Sequence, residues 1–220
     1  MSEYVPNLRE QLRERVCRAA KEMHASKLVA VTGGNVSARL AAAEFLITPS
    51  ALPYEQMRPA DIVLIDAAGE RLDGSLPPSS ERRMHLAIYR KRPDIGGIVH
   101  THSPYATALA VAGRRIPALL PEAVIAVGGD VPLAPYARPG TWELGETVAE
   151  YLAKRNAVLM EAHGLVAVGA NVEAALETAI VVEETARIYW LALQVGTVRE
   201  LDPAEVKAII ETHEPEIARE

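Results

Sequence analysis

The sequence contains a single cysteine, Cys17, among 220 residues. One cysteine cannot form a disulfide within the chain, which excludes a disulfide-stapled secreted fold and favours a reducing compartment. No apolar run approaches the ~20 residues that a membrane-spanning helix requires. The charged, helical N-terminus lacks the pattern of a signal peptide. We therefore expect a cytoplasmic protein that does not enter a membrane.

The sequence also lacks a basic excess. Asp and Glu number 29 against 23 Lys and Arg, which gives a net charge of −6 and a pI near 5.6. Proteins that bind nucleic acids usually carry a basic face, so we expect no nucleic-acid partner. A chain of this length can bury a substantial core. Since no repeat, low-complexity tract or linker divides it, we predict a single domain over residues 1–220.

Hydrophobic periodicity predicts helices and strands in loose alternation. The predicted helices cover residues 7–29, 79–92, 103–113, 141–156 and 171–196. Their predicted N-caps are Ser79 or Ser80, Thr141 with a capping box, and Asn171. Four predicted strands lie within residues 32–40, 44–50, 61–70 and 95–103. Residues 157–169 are predicted to form two further strands joined by a turn. Residues 123–140 are predicted to form a short apolar run followed by a loop. This pattern indicates one α/β domain with a central sheet of undetermined strand direction.

Four residues have the chemistry of a metal site. His100 and His102 lie two apart in the predicted strand "GGIVHTHS", so their side chains point to one face, with Cα atoms about 6–7 Å apart. His163 lies at another strand-to-turn junction, "EAHGL", and Glu81 opens the helix that precedes the first pair. Three imidazoles and one carboxylate form a zinc-type ligand set. Spacing alone also permits ordinary histidines in a strand and a turn.

The other histidines are predicted to have ordinary roles. His85 lies four residues after Glu81 on the same helix face. It could form a hydrogen bond that orients a metal ligand, but we favour a position on the helix surface. His24 and His213 are predicted to be surface or hydrogen-bonded core residues.

Three short segments have the composition of anion-binding turns: "TGGNVS" (32–37), "TPS" (48–50) and "PSSE" (78–81). Glycine allows a backbone to approach a phosphate closely, and a helix N-terminus at Ser79 and Ser80 favours an anion. The same residue types dominate plain turns, so both interpretations stay open. Because these serines adjoin Glu81, a phosphate bound there would place its substrate within a few atoms of the metal.

Five motifs, in order over about residues 8–200, resemble the class II aldolase and adducin family. They are "TGGNVSAR", "LITPS", "PSSERRMHLAIYRKRPDIGGIVHTHS", "APYARPGTWEL" and "EAHGLVAVG". The resemblance implies a single-domain three-layer α/β/α sandwich around a mostly antiparallel sheet, assembled as a homotetramer. It implies a Zn²⁺ site, with Mn²⁺ or Co²⁺ as alternatives, formed by Glu81, His100, His102 and His163. It also implies substrate phosphate contacts from Gly34, Asn35, Ser50, Ala51, Ser79 and Ser80.

The activity that this resemblance implies is retro-aldol cleavage of a ketose 1-phosphate. The substrate would be similar to L-fuculose 1-phosphate or to a 5-deoxy or 5-methylthio ribulose 1-phosphate, and the products would be dihydroxyacetone phosphate and an aldehyde. The metal would polarise the substrate carbonyl. Glu81, displaced from the metal, would transfer a proton. None of the five lysines lies in an apolar segment suited to a Schiff base.

Two residues depart from the family pattern. Glu122 in "LLPEAV" takes the place of a tyrosine that in fuculose-phosphate aldolases reaches a neighbouring subunit's site and protonates the leaving alkoxide. We predict Glu122 as a second catalytic residue, because a protonated carboxyl can donate the same proton; an interface residue is the alternative. Ala51 replaces the glycine that usually follows "TP[ST]".

Three alternative functions remain open at this point. Related methylthioribulose-1-phosphate dehydratases carry a glutamate near the position of Glu122. A pentulose-phosphate 4-epimerase would share the retro-aldol step, but such relatives usually carry aspartate where Glu81 lies. A non-enzymatic adducin-like scaffold shares the fold and typically lacks the full metal set.

Overall fold

The computed structural model describes residues 7–217 of the protein. An eight-stranded sheet forms its centre. The strands are β1 (Asn35–Ala41), β2 (Glu44–Ile47), β3 (Val63–Asp66), β4 (Arg71–Asp73), β5 (Gly97–Thr101), β6 (Leu133–Ala134), β7 (Ala157–Met160) and β8 (Gly164–Gly169). The α-helices are α1 (Leu8–Ala25), α2 (Arg82–Lys91), α3 (Pro104–Val111), α4 (Pro121–Val127), α5 (Trp142–Leu152), α6 (Val172–Val195) and α7 (Pro203–Ile217). The ends of the predicted domain, residues 1–6 and 218–220, lie outside this description.

The sheet is antiparallel except at one edge. Its strand order is β4-β3-β2-β1-β5-β8-β7-β6, and the pair β6–β7 is parallel. In the centre, His100 of β5 lies opposite Asn35 of β1 and opposite Val166 of β8. The mostly antiparallel sheet implied by the family resemblance is therefore confirmed, and β5 is a central strand with neighbours on both sides.

Alternating strand residues divide the core into two layers. Val99 of β5 packs into a cluster with α1, α3 and α6, whereas Ile98 packs into a second cluster with α2 and α5. His100 follows Ile98 by two residues and therefore points toward the α2 side of the sheet. The three-layer arrangement brings this histidine to the N-terminus of α2.

The helix ends agree with the sequence in part. The Asn171 side chain caps α6 by accepting from Ala174 N–H, as predicted, and Gly196 follows the helix. Thr141 caps α5 through Leu144 N–H, but the predicted capping box is wrong because the third helical position is Leu144 and not an acid. The predicted cap of α2 at Ser79 or Ser80 is also wrong. Both serines belong to a turn, and Glu81 is the residue that directly precedes the helix.

Two of the α-helices within residues 7–217 were not predicted. The seven residues of α4 are too few for a clear period, although Pro121 opens the helix and Gly128 closes it in the left-handed conformation, with φ of 82°. The second is α7, which packs against α4. None of the helices within residues 7–217 is both long and apolar enough to cross a membrane.

Candidate metal centre

Three elements of the central fold deliver four potential ligands to one end of the sheet. His100 lies on β5, and His102 follows directly after that strand. His163 lies in the turn between β7 and β8, and Glu81 directly precedes α2. We call these four residues the Glu–His cluster. They are brought together because β5 pairs with β8 while α2 packs on the same face of the sheet.

The spacing of the cluster suits one small cation. Its four ligand atoms lie within 4.8 Å of one another. His100 Nε2 lies 3.0 Å from His102 Nε2 and 3.1 Å from Glu81 Oε2, and His163 Nε2 lies 3.2 Å from Glu81 Oε1. Ligand atoms bound tetrahedrally to zinc at ~2.0–2.1 Å are separated by about 3.3–3.4 Å. The shortest separations are therefore close to those of a zinc ligand set.

Hydrogen bonding prepares the cluster for a cation. His100 Nδ1 donates to Leu165 O at 2.9 Å, so the neutral form of this imidazole has the lone pair of Nε2 facing the cluster. Within residues 7–217, the buried Glu81 Oε1 has no well-formed hydrogen bond, although His163 Nε2 lies 3.2 Å away. A buried acceptor that lacks a well-formed hydrogen bond gains only part of the stabilisation that such a bond would supply. A bound cation would satisfy it, so the residues present fit a divalent metal.

The ionisation states of Glu81 and His102 also suit metal binding. Burial opposes ionisation of Glu81, but His100 and His163 outweigh it and hold the pKa of this carboxyl well below its usual range. Desolvation and the nearby charges of His100 and His163 lower the pKa of His102 to about 4. Burial opposes protonation of His100, yet the Glu81 carboxylate raises its pKa. At neutral pH, Glu81 is therefore ionised and His102 is neutral, which are the forms of a carboxyl and an imidazole that bind a metal.

Two glycines leave room for this arrangement. A Cβ at Gly164 would lie 2.3 Å from Thr101 O and 3.0 Å from His102 Cδ2. A Cβ at Gly34 would lie 2.5 Å from His100 O, and the φ of +73° at this position also favours glycine. Both backbones therefore approach the histidine strand at distances that a side chain would prevent.

The three turn segments with anion-binding composition meet beside the cluster. Pro49 and Pro78 form an isolated antiparallel bridge, and Ser79 N–H donates to Thr48 O at 3.1 Å. Thr48 Oγ1 in turn accepts from Val36 N–H at 3.2 Å. Residues distant in sequence therefore form one polar surface next to Glu81.

The predicted phosphate contacts differ in accessibility. Ser80 and Ala51 are exposed, Ser50 and Gly34 are half-buried, and Ser79 is buried. Asn35 is also buried, and its amide contacts Glu81: Nδ2 donates to Glu81 Oε2 at 2.9 Å. Ala51 adopts a φ of 59°, in the left-handed region where glycine is preferred.

The prediction of a surface position for His85 is wrong. Its side chain is buried, with Nε2 lying 2.5 Å from Asn35 Oδ1 and Nδ1 lying 2.6 Å from Ser37 Oγ. Ser37 Oγ lies 2.9 Å from the Tyr89 hydroxyl. The sequence signal was present, because Glu81, His85 and Tyr89 are spaced by four residues and therefore lie on one face of α2.

The structure does not bring Glu122 to the Glu–His cluster of the same chain. Glu122 is exposed in the first turn of α4. It lines a cleft of about 580 Å³ together with Ile95 and residues 168–171, where β8 ends. The cluster lies where β8 begins, at the opposite end of the sheet.

Comparison with known proteins identifies the family. The sequence matches the family model described as Class II Aldolase and Adducin N-terminal domain over residues 14–190. The chain belongs to this family. Curated family relatives include a 5-methylthioribulose-1-phosphate/5-deoxyribulose-1-phosphate aldolase from Rhodospirillum rubrum, 40% identical over 94% of this chain and 93% of the relative. An L-fuculose phosphate aldolase from Escherichia coli is 40% identical over 92% of this chain and 94% of its own length.

Solved structures agree with this class II aldolase assignment. An L-fuculose 1-phosphate aldolase superposes with a TM-score of 0.89 and 32% sequence identity, covering 97% of this chain and all of the other. The resemblance inferred from the five sequence motifs is therefore confirmed.

Proposed function

We propose that this protein is a metal-dependent aldolase that cleaves a ketose 1-phosphate to dihydroxyacetone phosphate and an aldehyde. The observation that carries the proposal is the Glu–His cluster beside a polar turn surface suited to phosphate. The named relatives support the reaction, because they are aldolases of L-fuculose phosphate and of 5-deoxy or 5-methylthio ribulose 1-phosphates. We propose the same range of ketose 1-phosphates as substrates.

The proposed metal ligands are Glu81, His100, His102 and His163. Three imidazoles and one carboxylate favour Zn²⁺, with Mn²⁺ or Co²⁺ as alternatives. When bound, such an ion supplies Lewis acidity that polarises the substrate carbonyl and stabilises the negative charge left by cleavage of the C3–C4 bond.

The remaining chemistry is assigned to side chains and backbone groups of the protein. The phosphate is held by six residues of the polar turns: Gly34, Asn35, Ser50, Ala51, Ser79 and Ser80. Asn35 can contribute while it holds Glu81, since its amide nitrogen carries two hydrogens. We assign to Glu81 the transfer of a proton at the substrate carbon from which the aldehyde departs.

Glu122 is proposed to act in a neighbouring subunit. Its exposed carboxyl lies at the opposite end of the sheet from its own Glu–His cluster, so an assembly is needed to bring it to a metal site. We propose a homotetramer with sites at the subunit interfaces, in which Glu122 donates a proton to the leaving alkoxide. A glutamate can replace the tyrosine of the fuculose-phosphate aldolases in this role if the subunit interface buries it, because burial disfavours the charged form of a carboxyl and only the protonated form can donate.

The first experiment measures dihydroxyacetone phosphate release from a panel of substrates. The panel contains the 1-phosphates of L-fuculose, L-rhamnulose, 5-deoxyribulose and 5-methylthioribulose, each tested with zinc-loaded and chelator-treated protein. We expect zinc-dependent release, with the fastest substrate defining the aldehyde pocket. Loss of substrate without dihydroxyacetone phosphate would instead support a dehydratase or an epimerase. No reaction together with no metal binding would support the scaffold.

A second experiment tests whether sites are shared between subunits. We expect the variants Glu122→Gln and His102→Ala each to be inactive alone. If each site combines one subunit's cluster with its neighbour's Glu122, then random co-assembly in equal amounts restores about one quarter of the sites. His213→Ala, which changes a histidine on α7, serves as an active control. A mixture with no more activity than its components would contradict the shared site.

A further inference from the structure

A continuous row of buried polar side chains lies behind the Glu–His cluster. It runs from Glu81 through Asn35, His85 and Ser37 to Tyr89, and we call it the relay. None of its members is more than 9% exposed. Burying polar groups is costly unless they are hydrogen-bonded. Five such groups in the core therefore indicate a specific arrangement, and not a chance contact.

Two elements build the relay by their regular spacing. Glu81, His85 and Tyr89 follow one another at intervals of four residues and project from one face of α2 and its N-terminus. Asn35 and Ser37 lie two residues apart on β1 and point from the sheet toward α2. The two periods interleave, so each side chain of β1 bridges two side chains of α2.

The hydrogen bonds of the relay have one consistent direction. The ionised Glu81 carboxylate can only accept, so Asn35 Nδ2 donates to it, and Asn35 Oδ1 must accept from His85 Nε2–H. A neutral imidazole carries one N–H, so His85 Nδ1 accepts from the Ser37 hydroxyl, which in turn accepts from Tyr89. Every donor points toward Glu81.

The charge state of His85 agrees with this direction. Burial, together with the nearby charge of His100, lowers the pKa of His85 to about 3. The ring is therefore neutral over the physiological range and keeps one donor and one acceptor nitrogen.

We propose that His85 is a positioning residue that fixes the Asn35 amide, and through it the carboxylate of Glu81. This inference rests on the proposed metal site. Without the His85 donor, the amide could turn over and present Oδ1 to Glu81 Oε2, which would replace an attraction by a repulsion. With the donor in place, Oε2 is held by Asn35 while Oε1 faces His163. The relay therefore determines the orientation in which the Glu81 carboxylate would bind the metal.

The relay also connects the metal site to the phosphate site. Asn35 is held by His85 on one side and contacts Glu81 on the other, and it is one of the residues proposed to bind phosphate. A fixed Asn35 amide therefore holds the Glu81 carboxylate in a constant position relative to the N–H group that is proposed to bind the substrate phosphate.

The experiment compares zinc affinity, measured by competition with a chromophoric chelator, in the wild type and three variants. We expect His85→Leu to weaken zinc binding ~10–100-fold, the usual effect of removing a partner behind a metal ligand. His85→Gln can still donate from Nε2 to Asn35 and should remain within a few-fold of the wild type. Tyr89→Phe changes only the far end of the relay and should also remain within a few-fold.

A purely structural role would give a different result. Thermal unfolding of each metal-free variant separates lost stability from lost affinity. Zinc affinity of His85→Leu equal to that of the wild type, or an equal loss in His85→Gln, would overturn the inference. If His85→Leu does not fold, Ser37→Ala carries the test, because it removes the donor that fixes the His85 tautomer. We expect it to weaken zinc binding by clearly more than Tyr89→Phe does, and an affinity no lower than that of Tyr89→Phe would overturn the inference.

The outcome for the wild type separates this inference from the proposed function. If the wild type binds no zinc, the metal site and the inference both fail. If the wild type binds zinc and His85→Leu binds it equally well, only the positioning role of His85 fails.

Discussion

At the scale of single residues, position 51 shows how one backbone angle restricts the side chain. Ala51 adopts a φ of 59° in the turn proposed to bind phosphate. The left-handed conformation costs an L-residue about 1–2 kcal/mol, which glycine avoids. The sequence indicated only that a glycine usual in the family was missing, whereas the structure shows the strain that its replacement introduces.

Replacing Ala51 by glycine tests this strain. We expect Ala51→Gly to stabilise the protein by up to about 1 kcal/mol, because relief of the left-handed strain exceeds the added entropy of the unfolded chain. Chemical denaturation measures the change. Ala112→Gly is the matched control, since Ala112 is exposed with a φ of −77° and should gain nothing. Equal changes in both variants would contradict the explanation.

At Gly164, replacing a glycine by alanine is predicted to be harmful. A Cβ at this position would lie 2.3 Å from Thr101 O, so Gly164→Ala must displace the strand end that carries His102. We expect at least a tenfold loss of zinc affinity, since metal ligands tolerate little displacement. Gly196→Ala, with nothing within 4 Å of its Cβ, is the control. Zinc titration of both variants measures the effect. Wild-type zinc affinity in Gly164→Ala would show that metal binding does not require the close approach of the Gly164 backbone to Thr101.

At the scale of elements, one side chain of α6 anchors the helix that follows the histidine pair. The two carboxylate oxygens of Glu183 accept from the backbone N–H groups of Tyr105 and Ala106, each at 2.9 Å. These are free donors in the first turn of α3, where the helix dipole also favours a negative charge. Glu183 therefore fixes the start of α3, two residues after His102.

Removing this anchor should destabilise the fold. We expect Glu183→Ala to cost about 1–2 kcal/mol, because two charge-assisted hydrogen bonds at a half-buried helix end are lost. Thermal or urea unfolding measures it. The neighbouring Glu184→Ala breaks only an exposed pair with Arg187 and should change stability by less than about 0.5 kcal/mol. Equal effects would show that the cap contributes nothing specific.

The elements also show what the sequence alone could determine. The pair His100 and His102 was recognisable because a strand places alternate residues on one face. The preference for a surface position of His85 was wrong because the same helical spacing fits both a surface and a buried position, and only the packing of β1 on α2 decides between them. Short α4 was missed since seven residues give no clear period. The strand direction came from the family resemblance, because local patterns do not encode which strands pair.

At the scale of the whole molecule, the Glu–His cluster ties together parts of the chain that are far apart in sequence. It joins the start of α2, the end of β5 and the turn between β7 and β8. A ligand that binds only the folded state stabilises it by mass action. A metal at this point would therefore stabilise the central fold as a unit.

Metal removal should consequently lower the melting temperature. At a free zinc concentration of 100 times the dissociation constant, binding adds about 2.7 kcal/mol, which corresponds to a shift of roughly 5–10 °C for a domain of this size. Calorimetry with and without a chelator measures the shift. His102→Ala should respond much less. A wild-type melting temperature that is insensitive to the chelator would contradict metal binding at the cluster.

The most direct test of the central claim is a titration of metal-free protein with zinc while dihydroxyacetone phosphate release is measured at a saturating ketose 1-phosphate concentration. The account predicts that release rises in proportion to added zinc, reaches a plateau at one ion per chain, and stays near zero in His102→Ala. Release by the metal-free protein at the full rate, or a plateau unaffected by His102→Ala, would contradict the claim that the Glu–His cluster carries the reaction.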